Sequence, residues 1–164
     1  MRHVDHSIPA LQYREATTAD VPAMERSRAT DAGAGPADQR MTAYLEGRHH
    51  PQQALAPRIA FVALDGLTVV AYIAGHATTR HGCAGEVQYL FVAPEYRRHG
   101  VASRLLLSLA RWFHTRGIAR VCVNADVESA GAVAFYTAHG ARPLNPYWYT
   151  WEEISTLLTH DRDG

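Results

Sequence analysis

An α/β (α+β) fold built on a mixed central sheet is what this sequence predicts, and three observations carry that expectation. Asp65-Gly66, set between two runs rich in Ala, Val, Ile and Tyr, is a strong hairpin signal. The stretch Glu86–Arg104, EVQYLFVAPEYRRHGVASR, reads as a buried strand, a turn and the start of a helix, because Ala93-Pro94-Glu95 removes a backbone donor and fixes φ where the strand must end. A short apolar run, Arg120–Asn124 (RVCVN), follows that helix, and strand, helix, strand in this order imply a right-handed parallel crossover.

The elements follow in order. Residues 1–10 read as a loose terminus, and Leu11–Ala16 as a short first strand. Thr17–Pro22 is a helix start, with Asp20 or Thr18 as cap and Pro22 tolerated in the first turn; the helix runs towards Ala29. Thr30–Pro36 carries two glycines and a proline and reads as a loop. A second helix is expected from Ala37 or Asp38 to Glu46, with Met41 and Leu45 spaced i, i+4, and one further helical turn is conceivable over Gln52–Pro57. Arg58–Leu64 and Leu67–His76 form the hairpin, and Thr78–Gly85 turns into the strand of Glu86. Leu105, Leu106, Leu107, Leu109, Ala110, Trp112 and Phe113 give the next helix a core face, and Gly117 caps its end. After Asn124 comes a polar turn, a helix over Ala132–His139 stopped by Gly140, a loop with Pro143 and Pro146, an aromatic final strand over Tyr147–Trp151, and a helical stretch over Glu152–Leu158 before a frayed tail at 159–164. The order is β-α-α-β-β-β-α-β-α-β, about six to seven strands flanked by about four helices.

At 164 residues the chain fits one domain over 1–164 with a sizeable core. Its 16 basic and 16 acidic residues balance to zero, which argues against a protein that wraps nucleic acid. Every basic residue is Arg. Cys83 and Cys122 stand far apart with no Cys-x-x-Cys pair, so neither a disulfide framework nor a zinc site is expected, and the ten histidines show no ligand spacing. With no apolar run of membrane-spanning length and no charged-then-apolar leader, a cytoplasmic protein without a membrane partner is the expectation.

The turn at 97–103 carries the chemistry. A helix N-terminus presents unpaired N–H groups and partial positive charge. Gly100 lacks a Cβ, Ala102 keeps the next turn narrow, and Arg97, Arg98, His99 and Arg104 add donors: together a cradle for phosphate. A Walker loop would need Lys and a Rossmann fingerprint a third glycine, and the chain has neither in place.

Arg97-x-x-Gly100-x-Ala102, after Leu90-Phe91-Val92-x-Pro94, resembles the acyl-CoA pyrophosphate loop of the GNAT N-acetyltransferase superfamily, whose pattern is Arg/Gln-x-x-Gly-x-Gly/Ala. Ser129-x-x-Ala132-x-x-Phe135-Tyr136-x-x-x-Gly140 resembles that family's second signature, with Ser129 where Asn is usual. The resemblance spans nearly the whole chain and is most specific over residues 86–140. It implies the GNAT fold, acetyl-CoA as co-substrate with no metal, and transfer of acetyl to a primary amine of a small molecule or peptide. It also implies which residues hold the donor: the backbone of Leu90, Phe91 and Val92 along the pantetheine, the loop Arg97, Arg98, His99, Gly100, Val101, Ala102 and Ser103 around the pyrophosphate, and Asn124 and Ser129 on the far side. Tyr136 matches the tyrosine beside the CoA sulfur, where a phenol can donate a proton to a thiolate; the alternative is a Tyr that anchors its helix.

For the base, Glu86 is the best carboxylate. Strict alternation would place Glu86, Gln88, Leu90 and Val92 on one face. His76, at the end of the neighbouring strand, is the rival, and a solvated edge carboxylate is the plain reading of Glu86. Phe135 is expected in the core, with Tyr136 aimed at the gap between 87–92 and 120–124. Acceptor contacts are expected from residues 25–50, including Tyr44, Glu46 and His49-His50, and from 147–151, whose aromatics could equally be core or a homodimer surface. A non-catalytic acyl-CoA-binding module on the same fold is the competing function.

Overall fold

The computed structural model describes residues 7–31, 40–48, 54–125 and 130–159, and the side chains of 28–31, 40, 42 and 130 fall outside that description. The elements are β1 (Gln12–Glu15), α1 (Val21–Asp31), α2 (Arg40–Leu45), β2 (Ala54–Asp65), β3 (Thr68–Thr78), β4 (Gly85–Val92), α3 (Val101–Thr115), β5 (Val121–Asn124), α4 (Ala130–Ala138), β6 (Arg142–Asn145), β7 (Trp148–Trp151) and a short α5 (Thr156–Thr159). The strands form one seven-stranded sheet in the order β1-β2-β3-β4-β5-β7-β6. The β4–β5 pair is parallel and its flanking pairs, β3–β4 and β5–β7, are antiparallel, as the crossover rule predicts for a strand, helix and strand.

Three boundaries differ from the sequence expectation. Residues 54–57 are strand rather than helical turn: the ladder with β3 shifts register between Leu55 and Arg58, and Pro57, which has no N–H to give, sits in that interruption. Residues 142–145, read as loop because of Pro143, form the seventh strand, which Pro tolerates because β6 lies at the sheet edge. The cap of the first helical segment is Thr17, in a capping box with Asp20 around a 3-10 turn over Thr18–Asp20. Asp20 also takes two hydrogen bonds from Arg14, at 2.7 and 2.8 Å.

The sheet is covered on both faces. On one, Val101, Leu105, Leu106, Leu109, Ala110 and Phe113 of α3 pack on Ile73, Val87, Val121 and Val123, with Tyr136 and Trp151 alongside. Each fully buried Leu or Phe here contributes roughly 1.5–3 kcal/mol. On the other, Val21 and Met24 of α1 and Met41 and Tyr44 of α2 pack on Val62, Tyr72 and Ala74. Two glycines let α3 come this close. A Cβ on Gly85 would lie 2.6 Å from Phe113 Cε1, and one on Gly75 would lie 3.1 Å from both Leu109 methyls.

One irregularity in β4 decides how the site is built. Val87 pairs with Gly75 and Tyr89 with Ala74, so Gln88 is an extra residue, a β-bulge. The extra residue reverses the alternation downstream. Glu86 therefore shares its face with Tyr89 and Phe91, which pack in the α1–α2 layer, while Leu90 and Val92 join Val87 in the α3 layer. This corrects the expectation that Glu86, Gln88, Leu90 and Val92 line one face.

Candidate functional site

The bulge is followed by a splay. β4 pairs with β5 only over Gly85–Val87 and Val121–Val123, whereas its pairing with β3 continues to Val92. From Gln88 onward one side of the β4 backbone thus faces a gap, and Leu90 and Phe91 border it half-buried. A cleft of about 300 Å3 lies at this point, lined by Arg80, Glu86, Val87, Gln88, Asn124 and Trp148. Asn124 is exposed at the end of β5, opposite Trp148. Ser129 lies outside the described residues.

At the far end of β4 a 3-10 turn, Pro94–Tyr96, leads to the helix start. Arg98 (φ 64°) and Gly100 (φ 77°) both adopt left-handed backbone, and Gly100 is the N-cap of α3 with no side-chain cap. A Cβ at Gly100 would meet nothing within 4 Å, so the main chain is approachable from outside. Arg97, Arg98 and His99 are exposed around it. Arg97 Nε donates to the Val92 carbonyl at 2.9 Å, tying the turn to the end of the strand. Val101 is buried beneath the turn, which leaves its backbone, not its side chain, for a ligand. Arg104 turns away, its guanidinium 4.6 Å from the centre of the Tyr13 ring. These features fit an anionic group held by main-chain N–H groups.

Tyr136 is buried, 5 % exposed, in the α3 layer with its ring edge-on to Trp151. Burial pushes its phenol above the ordinary tyrosine range, so it stays protonated. Phe135 is the more exposed of the two: it is half-buried, its ring 4.4 Å from that of His139, and not in the core as the sequence suggested.

Glu86 is not a solvated edge carboxylate. It is 2 % exposed, and its two oxygens meet different nitrogen donors: Oε2 lies 2.9 Å from His76 Nε2, and Oε1 lies 2.8 Å from Arg80 Nε. His76, directly opposite Glu86 in the β3–β4 ladder, is fully buried, and its Nδ1 lies 2.6 Å from the Tyr44 hydroxyl. Burial raises the Tyr44 phenol well above its usual range, so Tyr44 keeps its proton and can donate it to Nδ1, leaving Nε2–H to face the carboxylate. The two rival bases of the sequence reading thus belong to one chain, Tyr44–His76–Glu86–Arg80. At its outer end the Arg80 guanidinium lies 4.8 Å from the centre of the Trp148 ring. Tyr44 and Arg80 were not assigned to this cluster from sequence; the only hint was their place in segments expected near the acceptor or at a hairpin end. Beside the cluster, Cys83 and Cys122 are buried free thiols, and burial pushes the Cys122 thiol up.

Glu46 is exposed and pairs with Arg48, and His49-His50 lie outside the described residues. Tyr147 is exposed whereas Trp151 is in the core. Among the described residues no group of three or more His, Cys, Asp or Glu side chains could hold a metal ion, and no helix is long and apolar enough to cross a membrane.

Known proteins share this architecture. An acetyltransferase of the GNAT family from Staphylococcus aureus Mu50 superposes with a TM-score of 0.69 at 12% identity, covering 87% of this chain and 98% of that one. The ribosomal-protein-S18-alanine N-acetyltransferase from Escherichia coli gives 0.61 at 18% identity, over 86% and 91% of the two chains. The PaiA N-acetyltransferase from Thermoplasma acidophilum, solved in complex with coenzyme A, gives 0.59 at 14% identity, over 86% and 96%. No curated protein sequence matches the chain. Residues 25–141, which include β4, the turn at 97–103 and all of α4, match the acetyltransferase (GNAT) family, and the chain belongs to it.

Proposed function

We propose that the protein is an acetyl-CoA-dependent N-acetyltransferase that acts on a primary amine of a small molecule or peptide by direct attack. The observation that carries this reading is the splay: a strand whose backbone opens onto a gap just past a buried carboxylate and ends at an approachable helix N-terminus. Bound acetyl-CoA would supply the thioester carbonyl that the amine attacks. The backbone of Leu90, Phe91 and Val92 lies along the gap, where β-like pairing can hold an amide-bearing arm. Main-chain N–H groups at 98–103, with Arg97, Arg98 and His99 at the rim, suit a pyrophosphate. Asn124 borders the gap from β5.

Tyr136 then serves as the proton donor, since its buried phenol is protonated at neutral pH. It packs in the α3 layer and Glu86 in the opposite one, so the gap between β4 and β5 is where the two can serve one reaction. Each oxygen of Glu86 keeps a lone pair beyond its contact to His76 or Arg80, enough to accept a proton through a water in the cleft. One observation favours the competing reading of a non-catalytic acyl-CoA-binding module, namely that both carboxylate oxygens already have donor partners, His76 and Arg80.

CoA release from acetyl-CoA over a panel of amines, polyamines, aminoglycosides and peptides separates the two. Tyr136→Phe is expected to cut turnover roughly 10²–10⁴-fold, the size of a lost general acid, with binding of a CoA analogue little changed. Near-normal turnover in that variant would make Tyr136 an anchor of α4 and nothing more.

A further inference from the structure

Tyr44, His76 and Glu86 form a buried polar row, and of the three only Glu86 lines the cleft. Tyr44 comes from α2 and His76 from β3, and both are 0 % exposed. Polar side chains buried this deeply are costly unless each finds a partner. The partners here have an order. His76 Nε2 lies 2.9 Å from Glu86 Oε2, and a carboxylate whose other oxygen faces Arg80 can only accept, so Nε2 carries the proton. Nδ1 of the neutral ring is then an acceptor, and the Tyr44 hydroxyl, 2.6 Å away, donates to it. The other tautomer would set a lone pair against the carboxylate. The Tyr44 ring is seated without help from its hydroxyl. It stands edge-on to the Tyr89 ring at 5.5 Å and under the Arg58 guanidinium at 4.8 Å, and its carbonyl accepts from Arg58 Nη1 at 2.7 Å. The charged and titratable groups around the row are Arg58 on β2, Tyr89 on β4, Arg80 and Cys83 between β3 and β4, and Cys122 on β5, opposite Glu86. From α1 the layer receives the apolar Val21 and Met24.

We propose that Tyr44 is a positioning residue for the transfer: its hydroxyl fixes the His76 ring so that Nε2–H stays on Glu86, which keeps the carboxylate ready to take the proton of the acceptor amine. The inference rests on the reading given above in which Glu86 is the base. Tyr44 does not line the cleft, so its influence on the rate passes through His76 and Glu86. Without the hydroxyl, Nδ1 is a buried acceptor with no donor, and the tautomer that points a lone pair at Glu86 becomes competitive. Glu86 then loses an N–H that favours its charged form, holds its own proton to higher pH and is out of action as a base over more of the range. A Tyr–His bond that merely ties α2 to β3 would cost stability and leave the pH dependence of the reaction alone.

The test has two arms. The first is nitrogen-15 NMR of the histidine rings in wild type, with the His76 signals assigned by their loss in His76→Gln. The expected result is a proton on Nε2 and none on Nδ1; a protonated Nδ1 would overturn the inference, and this arm needs no activity and no Tyr44 variant. The second is a double-mutant cycle on kcat/KM against pH, with the best acceptor from the amine panel, using Tyr44→Phe, Glu86→Gln and the pair. Tyr44→Phe is expected to lower kcat/KM at neutral pH about tenfold, the size of one hydrogen bond to a charged group, and to move the acidic limb of the profile to higher pH. The KM for acetyl-CoA should stay within about twofold, and in the Glu86→Gln background the same change should cost almost nothing. A Tyr44→Phe profile like that of wild type, or an equal loss in both backgrounds, would make Tyr44 structural and leave the acyltransferase reading standing. An unimpaired Glu86→Gln would overturn the base assignment and this inference with it. A wild type that releases no CoA with any amine would overturn the acyltransferase reading itself.

Discussion

The two ends of β4 are built on opposite plans. At Gly85–Val87 the strand is paired on both sides, packed against α3 through a glycine, and carries a carboxylate closed in by His76 and Arg80. At Leu90–Val92 it is paired on one side and runs into a turn whose left-handed residues leave the main chain open. The first end offers buried side chains; the second offers backbone. Substitutions should therefore fail differently at the two ends. At the closed end the loss is of charge balance and packing; at the open end it is of access.

The largest effect is expected at the open end. If acetyl-CoA binds only the folded protein, ligand at a hundred times its Kd stabilises by about 2.7 kcal/mol and raises the melting temperature. Gly100→Glu puts bulk and negative charge at the approach to the main chain and should abolish that rise; a side chain at φ 77° also strains the turn, so the rise is read against the variant's own unliganded melting temperature. An undiminished rise in thermal melts of the variant would mean that the anion is held elsewhere.

Next comes Glu86→Gln at the closed end. Taking the charge from a buried carboxylate that faces the Arg80 guanidinium and the His76 ring should cost about 1–3 kcal/mol in urea unfolding. Where Glu86 is the base, kcat/KM should fall most at neutral pH and less at high pH, where more of the amine is already deprotonated. Loss of stability with an unaltered pH–rate profile would restrict Glu86 to a structural part; the neutral-pH deficit appearing instead in His76→Ala would move the base to His76.

Gly85→Ala tests packing alone. Its Cβ would meet Phe113 at 2.6 Å and Ile118 Cγ2 at 2.9 Å, and overpacking of this kind costs typically about 1–3 kcal/mol. A variant as stable as wild type in denaturant would show that α3 is looser against β4 than the contacts imply.

The smallest effect serves as a control remote from β4. The hydrogen bonds from Arg14, helped by the Thr17 backbone, hold the Asp20 carboxyl down at about 2, below the ordinary aspartate value of ~3.9. A group depressed in the folded state contributes stability that is fully present above about pH 4 and is lost as pH falls through about 2. Asp20→Asn should thus be modestly less stable than wild type at pH 7 and match it near pH 2, by denaturant midpoints at the two pH values. The acetyl-CoA response of that variant should stay as in wild type.

What could be read from the sequence was whatever is contiguous. The cradle lies within seven consecutive residues, Arg97–Ser103, and its strand, proline and glycine signals are local. The Tyr44–His76–Glu86–Arg80 chain was not legible because its members come from α2, β3, β4 and the turn between the last two, and only the ladder brings His76 opposite Glu86. The face of Leu90 and Val92 was misread for a related reason: Gln88 carries no mark of a bulge, and alternation is countable only once register is known. β6 was missed because Pro143 signals a break, and the position that excuses it, the sheet edge, is a property of topology.

The bulge has one more consequence. It acts as a phase slip in a two-beat pattern, and both flanking stretches are locked to their own phase, upstream by the His76 and Arg80 contacts and downstream by the α3 layer and the Arg97 tether. Deleting Gln88 would leave the composition of the strand almost untouched yet make the two phases incompatible. Either a carboxylate would turn into the layer of Leu109 and Phe113, or Leu90 and Val92 would turn out of it. A single residue with an unremarkable side chain is thus worth more here as a spacer than as chemistry.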